Sequence, residues 1–542
     1  MKRNHLLLAG IVAGVAAVVA GSASCVTTKT VDEQRSPDPR EDLPAISSDE
    51  QKQLEVKKQA KLAQDHPLDS VIDLSPQDPI VNVRVVFKAG SADDPAGKEG
   101  LATLSVMLMR EATEKLSAAD LADALFPWAA ELDVQVDKDA VAFLGRVHKD
   151  HQDQFGDIFL DVILHPRLDT GDFARKMAEQ KAFLESTLRT GNDELLQRET
   201  LEQLIYPAGH PYHHTPRGTV KGLNAITLDD VRGFIHAHLV RDRVVLGISG
   251  GASASLVAKV RAGLESLPFA DAPRAEVAAP VQAARNRAIL VDKPAAGSAI
   301  SLGYAVPELS RTSPDYPAMK LAETWFGEHR SLIGHLFNSM RERRGLNYGD
   351  YAYVEHFVQE GWSTYERLNT PRRTQYFSMW IRPVEHKNRL FALRQAAWEL
   401  DQFAKDGIPD DDSFERVRSF VQGYWRAKEQ EPMRRLGYAI DRVLTEQPFD
   451  HDDLRARVAK LTRADVNAAI KRHLHGDKLA IVVITENAAA LADEIKKGTP
   501  SPVSYAGKVP PAQLSEDKVI EAFDLHLGDA VHVIPAGDLF AE

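Results

Sequence analysis

Hydrolytic chemistry needs either a metal held by closely spaced His and acidic side chains or an activated nucleophile, and this chain offers few places for either. Its 19 histidines include four close pairs: His148 with His151, His213 with His214, His236 with His238, and His329 with His335. None belongs to an H-E-x-x-H or H-x-x-E-H string, the spacings that set two imidazoles and a carboxylate together on a helix. Each pair therefore reads as solvated or core histidines. A phosphate-cradling G-x-x-x-x-G-K-[ST] loop is also absent from the sequence. One G-x-S-x-G string, Gly247-Ile-Ser-Gly-Gly251, follows a strand-like run as a nucleophile elbow does. No doubly wound pattern surrounds Ser249, and a glycine turn closing a unit is the simpler reading. The single cysteine, Cys25, excludes an intramolecular disulfide and thiolate metal clusters.

The position of Cys25 gives it another use. Lys2 and Arg3, the apolar run from Leu6 to Ala20 and the small residues Gly21-Ser-Ala-Ser24 form a secretory signal, residues 1–24, whose apolar run of about 15 residues is short of the roughly 20 that a bilayer-spanning helix needs. Following the small residues directly, Cys25 resembles the lipid-modified first residue of a bacterial lipoprotein, although Ser22 stands where that pattern usually has an aliphatic residue. Lipid attachment at Cys25 implies a membrane-anchored protein of the bacterial cell envelope, on the periplasmic side. Residues 25–65, rich in Thr, Pro and charge, read as a flexible tether.

The rest has the composition of a folded protein, 44% hydrophobic and 27% charged. A net charge of −12 argues against nucleic acid as a partner. Residues 66–267 alternate a β-branched strand (Pro79 to Phe87), helical patterns (Leu101 to Met109, Leu116 to Leu125, Asp150 to Ile163, Asp172 to Arg189), and a buried-strand run from Arg243. Residues 268–288, rich in Ala and Pro, read as a linker. Residues 289–497 repeat the order: strands to Val306, helices from Asp315 and Leu332, strands through Tyr351 to Tyr365 and Thr374 to Ile381, helices from Asn388 and Asp411, and a strand from Lys478 to Thr485. The expected fold is thus α+β, two homologous units forming a clamp. The tail, 498–542, is expected to dock as sheet edge strands through Val519 to Leu525 and Ala530 to Ile534, the first unit having no evident opening strand before Ile80.

Three segments carry a family resemblance: Lys88-Ala-Gly-Ser-Ala-Asp-Asp-Pro-Ala-Gly-Lys-Glu-Gly-Leu-Ala102, His210-Pro-Tyr212 followed by Gly218, and Leu336-Phe-Asn-Ser-Met-Arg-Glu-Arg-Arg-Gly-Leu-Asn-Tyr348. In this order they resemble the insulinase/pitrilysin (inverzincin) zinc metallopeptidases, over about residues 70 to 495. The resemblance implies two insulinase-type α/β units and an H-x-x-E-H helix after the first segment, with two His and a downstream Glu on zinc and the motif Glu activating water. The corresponding positions are Thr103 for the first His, Val106 for the Glu, Met107 for the second His and Ser186 for the downstream Glu. None supplies the family's chemistry. Glu185 is one residue away, turned by about 100° on an α-helix. The family's Arg and Tyr, seven residues apart and reaching the bound peptide from the second unit, match Arg341 and Tyr348.

What the resemblance implies for function is a noncatalytic envelope lipoprotein with no catalytic residues, no bound metal and no cofactor. It binds peptide or unfolded polypeptide, or supports an active homologue in a hetero-oligomer. The competing readings are a zinc endopeptidase with unconventional ligands and a lone peptide-binding scaffold.

Overall fold

The computed structural model describes Lys57, Lys61 and residues 67–448, 450–505 and 507–542. The signal, Cys25 and all of the tether except Lys57 and Lys61 lie outside the described residues.

Two mixed sheets form the framework. The first contains β1 (Asp69–Leu74), β2 (Ile80–Phe87), β3 (Glu131–Val136), β4 (Val141–His148) and β5 (Val244–Gly250), in the order β1-β5-β2-β4-β3. The second contains β6 (Arg287–Asp292), β7 (Ser298–Ala305), β8 (Asp350–Tyr353), β9 (Tyr376–Val384), β10 (Ala480–Thr485) and β11 (Val531–Pro535), in the order β11-β6-β10-β7-β9-β8. In each sheet the opening strand pairs parallel with the closing one (β1 with β5, β6 with β10), and the next three pairings are antiparallel. Strands β6-β10-β7-β9-β8 therefore repeat β1-β5-β2-β4-β3 in order and direction, which is the internal duplication in structural form. Between the halves, Ser266 to Asn286 contains no helix or strand, and β6 begins at Arg287.

The opening strand missing from the sequence reading is β1, whose alternation is masked by Asp69, Ser70 and Asp73 at an exposed edge. The tail supplies one edge strand, β11 on β6 of the second sheet, whereas Val519 and Ile520 end a helix, Pro511–Ile520, and form no strand. That helix puts Asp517 and Glu516 on the buried guanidinium of Arg344, at 2.8 and 2.5 Å. The expected second-half helix from Leu332 is short and π-type, Phe337–Glu342. The expected strand through Tyr351 to Tyr365 stops at Tyr353.

Each half lends a helix to the other's sheet. Asp193–Ile205 buries Leu196, Leu201 and Ile205 with Val291, Ala299, Val482 and Ile484 of the second sheet. Pro432–Leu444 buries Leu436 and Ile440 with Val86, Ala142 and Val245 of the first. Gly247 permits that crossing, because a Cβ there would sit 2.4 Å from Ile440 Cδ1. In the same string Ser249 is fully buried, and its hydroxyl accepts a hydrogen bond from Asn82 (3.3 Å). A buried serine closing a strand is not a nucleophile elbow.

Candidate functional site

A cavity of about 680 Å³ opens where the halves face each other. One wall is the helix Leu101–Glu111 and the end of edge strand β3, the opposite wall a protruding loop over 358–367 with Trp362 at its tip, 94% exposed. The first motif positions its helix. Asp94 accepts backbone N–H bonds from Gly100 and Ala102, both 2.7 Å, a cap for the helix start. Gly100 is left-handed (φ 102°), and at Gly218 (φ 81°) a Cβ would lie 2.0 Å from Glu99 O, so the second motif's loop presses its backbone onto the first. Gln180 closes the joint, donating to Gly100 O (3.0 Å) and Arg217 O (2.9 Å).

Thr103 and Met107, one turn apart, line this cavity. Val106 is fully buried in the apolar core beneath. Ser186 is exposed and lines an adjoining cavity of about 410 Å³ that shares Met107, Phe183 and Arg217 with the first. It lies on a π-helical turn, Phe183–Gly191, which continues the helix Thr170–Ala182 where a single α-helix to Arg189 was expected. Glu185 lines neither cavity.

Zinc does not fit these residues. The Thr103 hydroxyl already donates to Pro216 O (2.5 Å), Met107 offers a soft thioether, and the Arg217 guanidinium, 4.7 Å from the Phe183 ring centroid, puts a positive charge on both cavities. Among the described residues, no group of three or more His, Cys, Asp and Glu side chains is placed to hold a metal ion.

Arg341 and Tyr348 come together, with the guanidinium 5.9 Å from the Tyr348 ring centroid and 4.6 Å from that of Phe337. Tyr348 is exposed, and neither residue lines the cavity. Arg382 on β9 does line it, and its backbone N–H donates to Gly349 O (3.1 Å) beside Tyr348.

The cavity floor is a buried charge cluster bridging the halves, unforeseen in the sequence. Arg372 donates to Asp137 Oδ1 (2.8 Å) and Glu202 Oε2 (3.3 Å). His356 sets Nε2 3.2 Å from Asp137 and Nδ1 3.1 Å from Glu202. Burial pushes the Asp137 carboxyl up, but Arg372 and then His356 outweigh it and hold it below the usual carboxylate range. Burial and Arg372 depress the His356 imidazole, and Asp137 and Glu202 more than reverse this, leaving it raised. A raised His stabilises the fold fully below its unfolded value, about pH 6.5, and loses that contribution as pH rises through the folded value. His356→Gln should therefore lie furthest below the unmodified protein in thermal midpoint at or below about pH 6, with the gap narrowing as pH rises above the unfolded value. A gap independent of pH would mean that the imidazole is not charged here.

Fold and cavity define a two-unit peptidase-type clamp whose metal positions lack metal ligands. A family model described as Insulinase (Peptidase family M16) matches residues 70–203, and one described as Peptidase M16 inactive domain matches residues 225–419. The chain belongs to the insulinase (M16) family. Similar relatives include an uncharacterized zinc protease of Streptomyces coelicolor, 25% identical over 406 residues that cover 73% of this chain and 82% of the relative. Another, of Mycobacterium bovis, is 25% identical over 415 residues covering 74% and 87%. Among solved structures, a peptidase M16 inactive domain from Pseudomonas fluorescens aligns with TM-score 0.66 at 21% identity, covering 77% of this chain and 95% of that one. The periplasmic protease PqqL from Escherichia coli aligns with TM-score 0.60 at 14% identity, covering 84% of this chain and 49% of that one.

Proposed function

We propose that this chain is a noncatalytic insulinase-family subunit of the bacterial cell envelope, held to a membrane through Cys25, that binds extended polypeptide in its cavity and assembles with an active zinc peptidase of the same family. The observation that carries the reading is the substitution of the metal site: Thr103, Met107 and Ser186 face the cavities, Arg217 adds a positive charge beside them, and Val106 is in the core. Peptide binding is supported by the cavity's form. β3 is an edge strand, the unit to which an extended peptide can add, and Val134 to Asp137 face the space; Leu132 O and the Val134 N–H are held by the Arg110 and Asp133 side chains, which a docking strand would replace. Trp362 and Arg382 line it, and the Arg382 backbone is bonded to Gly349, next to Tyr348. Association with a homologue draws support from a fold neighbour in complex III2 of Candida albicans, and an envelope location from periplasmic PqqL. Among the described residues no helix is long and apolar enough to cross a membrane.

The relatives named zinc proteases supply the rival reading, a peptidase with unconventional ligands. Metal content and cleavage of unstructured peptides by the purified mature chain separate the two. The expected result is substoichiometric zinc and no chelator-sensitive cleavage, with an H-x-x-E-H homologue co-purifying from the native membrane fraction. One zinc per chain with cleavage abolished by chelator would sink the noncatalytic reading, and recovery of the chain alone would sink the heteromer.

A further inference from the structure

The charges around the main cavity do not balance. Six arginines line it: Arg198, Arg217, Arg330, Arg367, Arg372 and Arg382. Of the four lining carboxylates, Asp137 and Glu202 are taken by Arg372, and Glu194 by Arg382 (3.1 Å). That leaves Arg198, Arg217, Arg330 and Arg367 facing Glu199, and the lining as a whole carries an excess of 6 − 4 = 2 positive charges, before the His356 imidazole is counted, in a chain whose net charge is −12. Glu199 is a weak counter-charge, since burial and then the neighbouring Glu202 raise its pKa. Two of the four line the cavity from opposite halves, Arg217 and Arg367. Arg217, from the first half, is depressed by burial and next by the like charge of Arg367, from the second. Among the described residues neither guanidinium has a carboxylate within salt-bridge distance or a hydrogen-bond acceptor.

Both are nonetheless held in place. Arg217 lies over the Phe183 ring, and its backbone is fixed by Gln180 and, through Pro216, by Thr103. At the base of the Trp362 loop the Arg367 backbone N–H donates to Val358 O (2.7 Å), which fixes the chain from which its side chain enters the cavity. Two like-charged guanidiniums carried on held backbone segments and facing one water-accessible space form a receptor for an anion, and the planar fork of arginine matches a carboxylate.

We infer that Arg217 and Arg367 together bind a carboxylate of the cavity's polypeptide ligand, selecting acidic or C-terminal segments. The inference rests on the peptide-binding reading above and adds the chemical class of the ligand. It gives the site of the lost metal a use: an arginine fixed beside Thr103 and Met107 now offers the positive charge.

The test is fluorescence anisotropy of the mature chain with three labelled extended peptides of one uncharged sequence: a free C-terminal carboxylate, a C-terminal amide with two internal Glu, and a C-terminal amide with Gln at those two positions. One or both carboxylate peptides should bind about tenfold or more tighter than the Gln amide, and which one does identifies the carboxylate's source. Arg217→Gln and Arg367→Gln should each remove that preference, so that within each variant the carboxylate peptides bind no tighter than the Gln amide. Both side chains face the cavity, so the folded state should survive, with unchanged thermal midpoints as the control. Equal binding of all three peptides, or a preference retained in both variants, overturns the inference and leaves peptide binding standing. Binding of none overturns both.

Discussion

Replacing Arg372 by methionine is expected to lower stability by about 3–5 kcal/mol, among the largest single-residue losses in this chain. The guanidinium is 2% exposed and has two carboxylates as partners, Asp137 and Glu202, both from the other half. Its removal leaves these buried with His356 and the Tyr376 hydroxyl, which donates to Glu202 at 2.8 Å, as their remaining direct side-chain partners among the described residues. Desolvation of the surviving charges dominates the cost, and the lost attraction is the smaller part. Arg373 is the internal control. It pairs with Asp139 at 2.7 Å, but its side chain is 30% exposed and Arg274 reaches the same carboxylate at 2.9 Å. Arg373→Met should cost about 1 kcal/mol. Because the Asp137 and Glu202 carboxyls are depressed in the fold, the Arg372→Met loss should be present in full above about pH 4 and shrink only at lower pH. Equal losses for the two variants at pH 7 would show that the cluster does not tie the halves together.

Most of the framework was legible because it rests on local pattern. The runs at β2, β5, β6, β7 and β10 are nearly continuous apolar stretches, and each was placed within a few residues. The duplication followed from their order. What escaped depends on partners distant in sequence. Pro432–Leu444 carries Leu436 and Ile440 at helical spacing, yet nothing local says that they pack on the other half's sheet. Asp137-Lys-Asp139 reads as a charged turn, and Arg372-Arg373 as a solvated basic pair. Only folding brings Arg372 to a carboxylate 235 residues away. That Thr103, Met107 and Ser186 stand where the resemblance sets the family's zinc ligands could be read from the motif. That Arg217 would come to face the same space could not, although its place just after the His-Pro-Tyr segment was a signal within reach.

Val106→Glu, which restores the residue active members carry at this position, is expected to destabilise the chain by about 3–5 kcal/mol at neutral pH. Val106 is completely buried, in the cluster that includes Phe87, Leu121 and Phe143, so the carboxyl would enter an apolar interior. Met107, one residue on, faces the cavities, and Met107→His should cost about 1 kcal/mol or less. The pH profile separates charge from shape. A carboxyl in this core has a raised folded-state pKa, so its penalty is small below the unfolded value of about 4.3 and grows as pH rises above it. Val106→Gln is close in size and does not titrate, and its penalty should stay flat. Denaturant midpoints of both variants from about pH 4 to 8 should therefore diverge with rising pH. Parallel curves would mean that the new carboxyl reaches the cavity water, and position 106 would then be open to the family's Glu. Diverging curves mean that the catalytic position has been absorbed into the core, so that supplying metal ligands at 103, 107 and 186 yields a zinc site at most and leaves the general base missing.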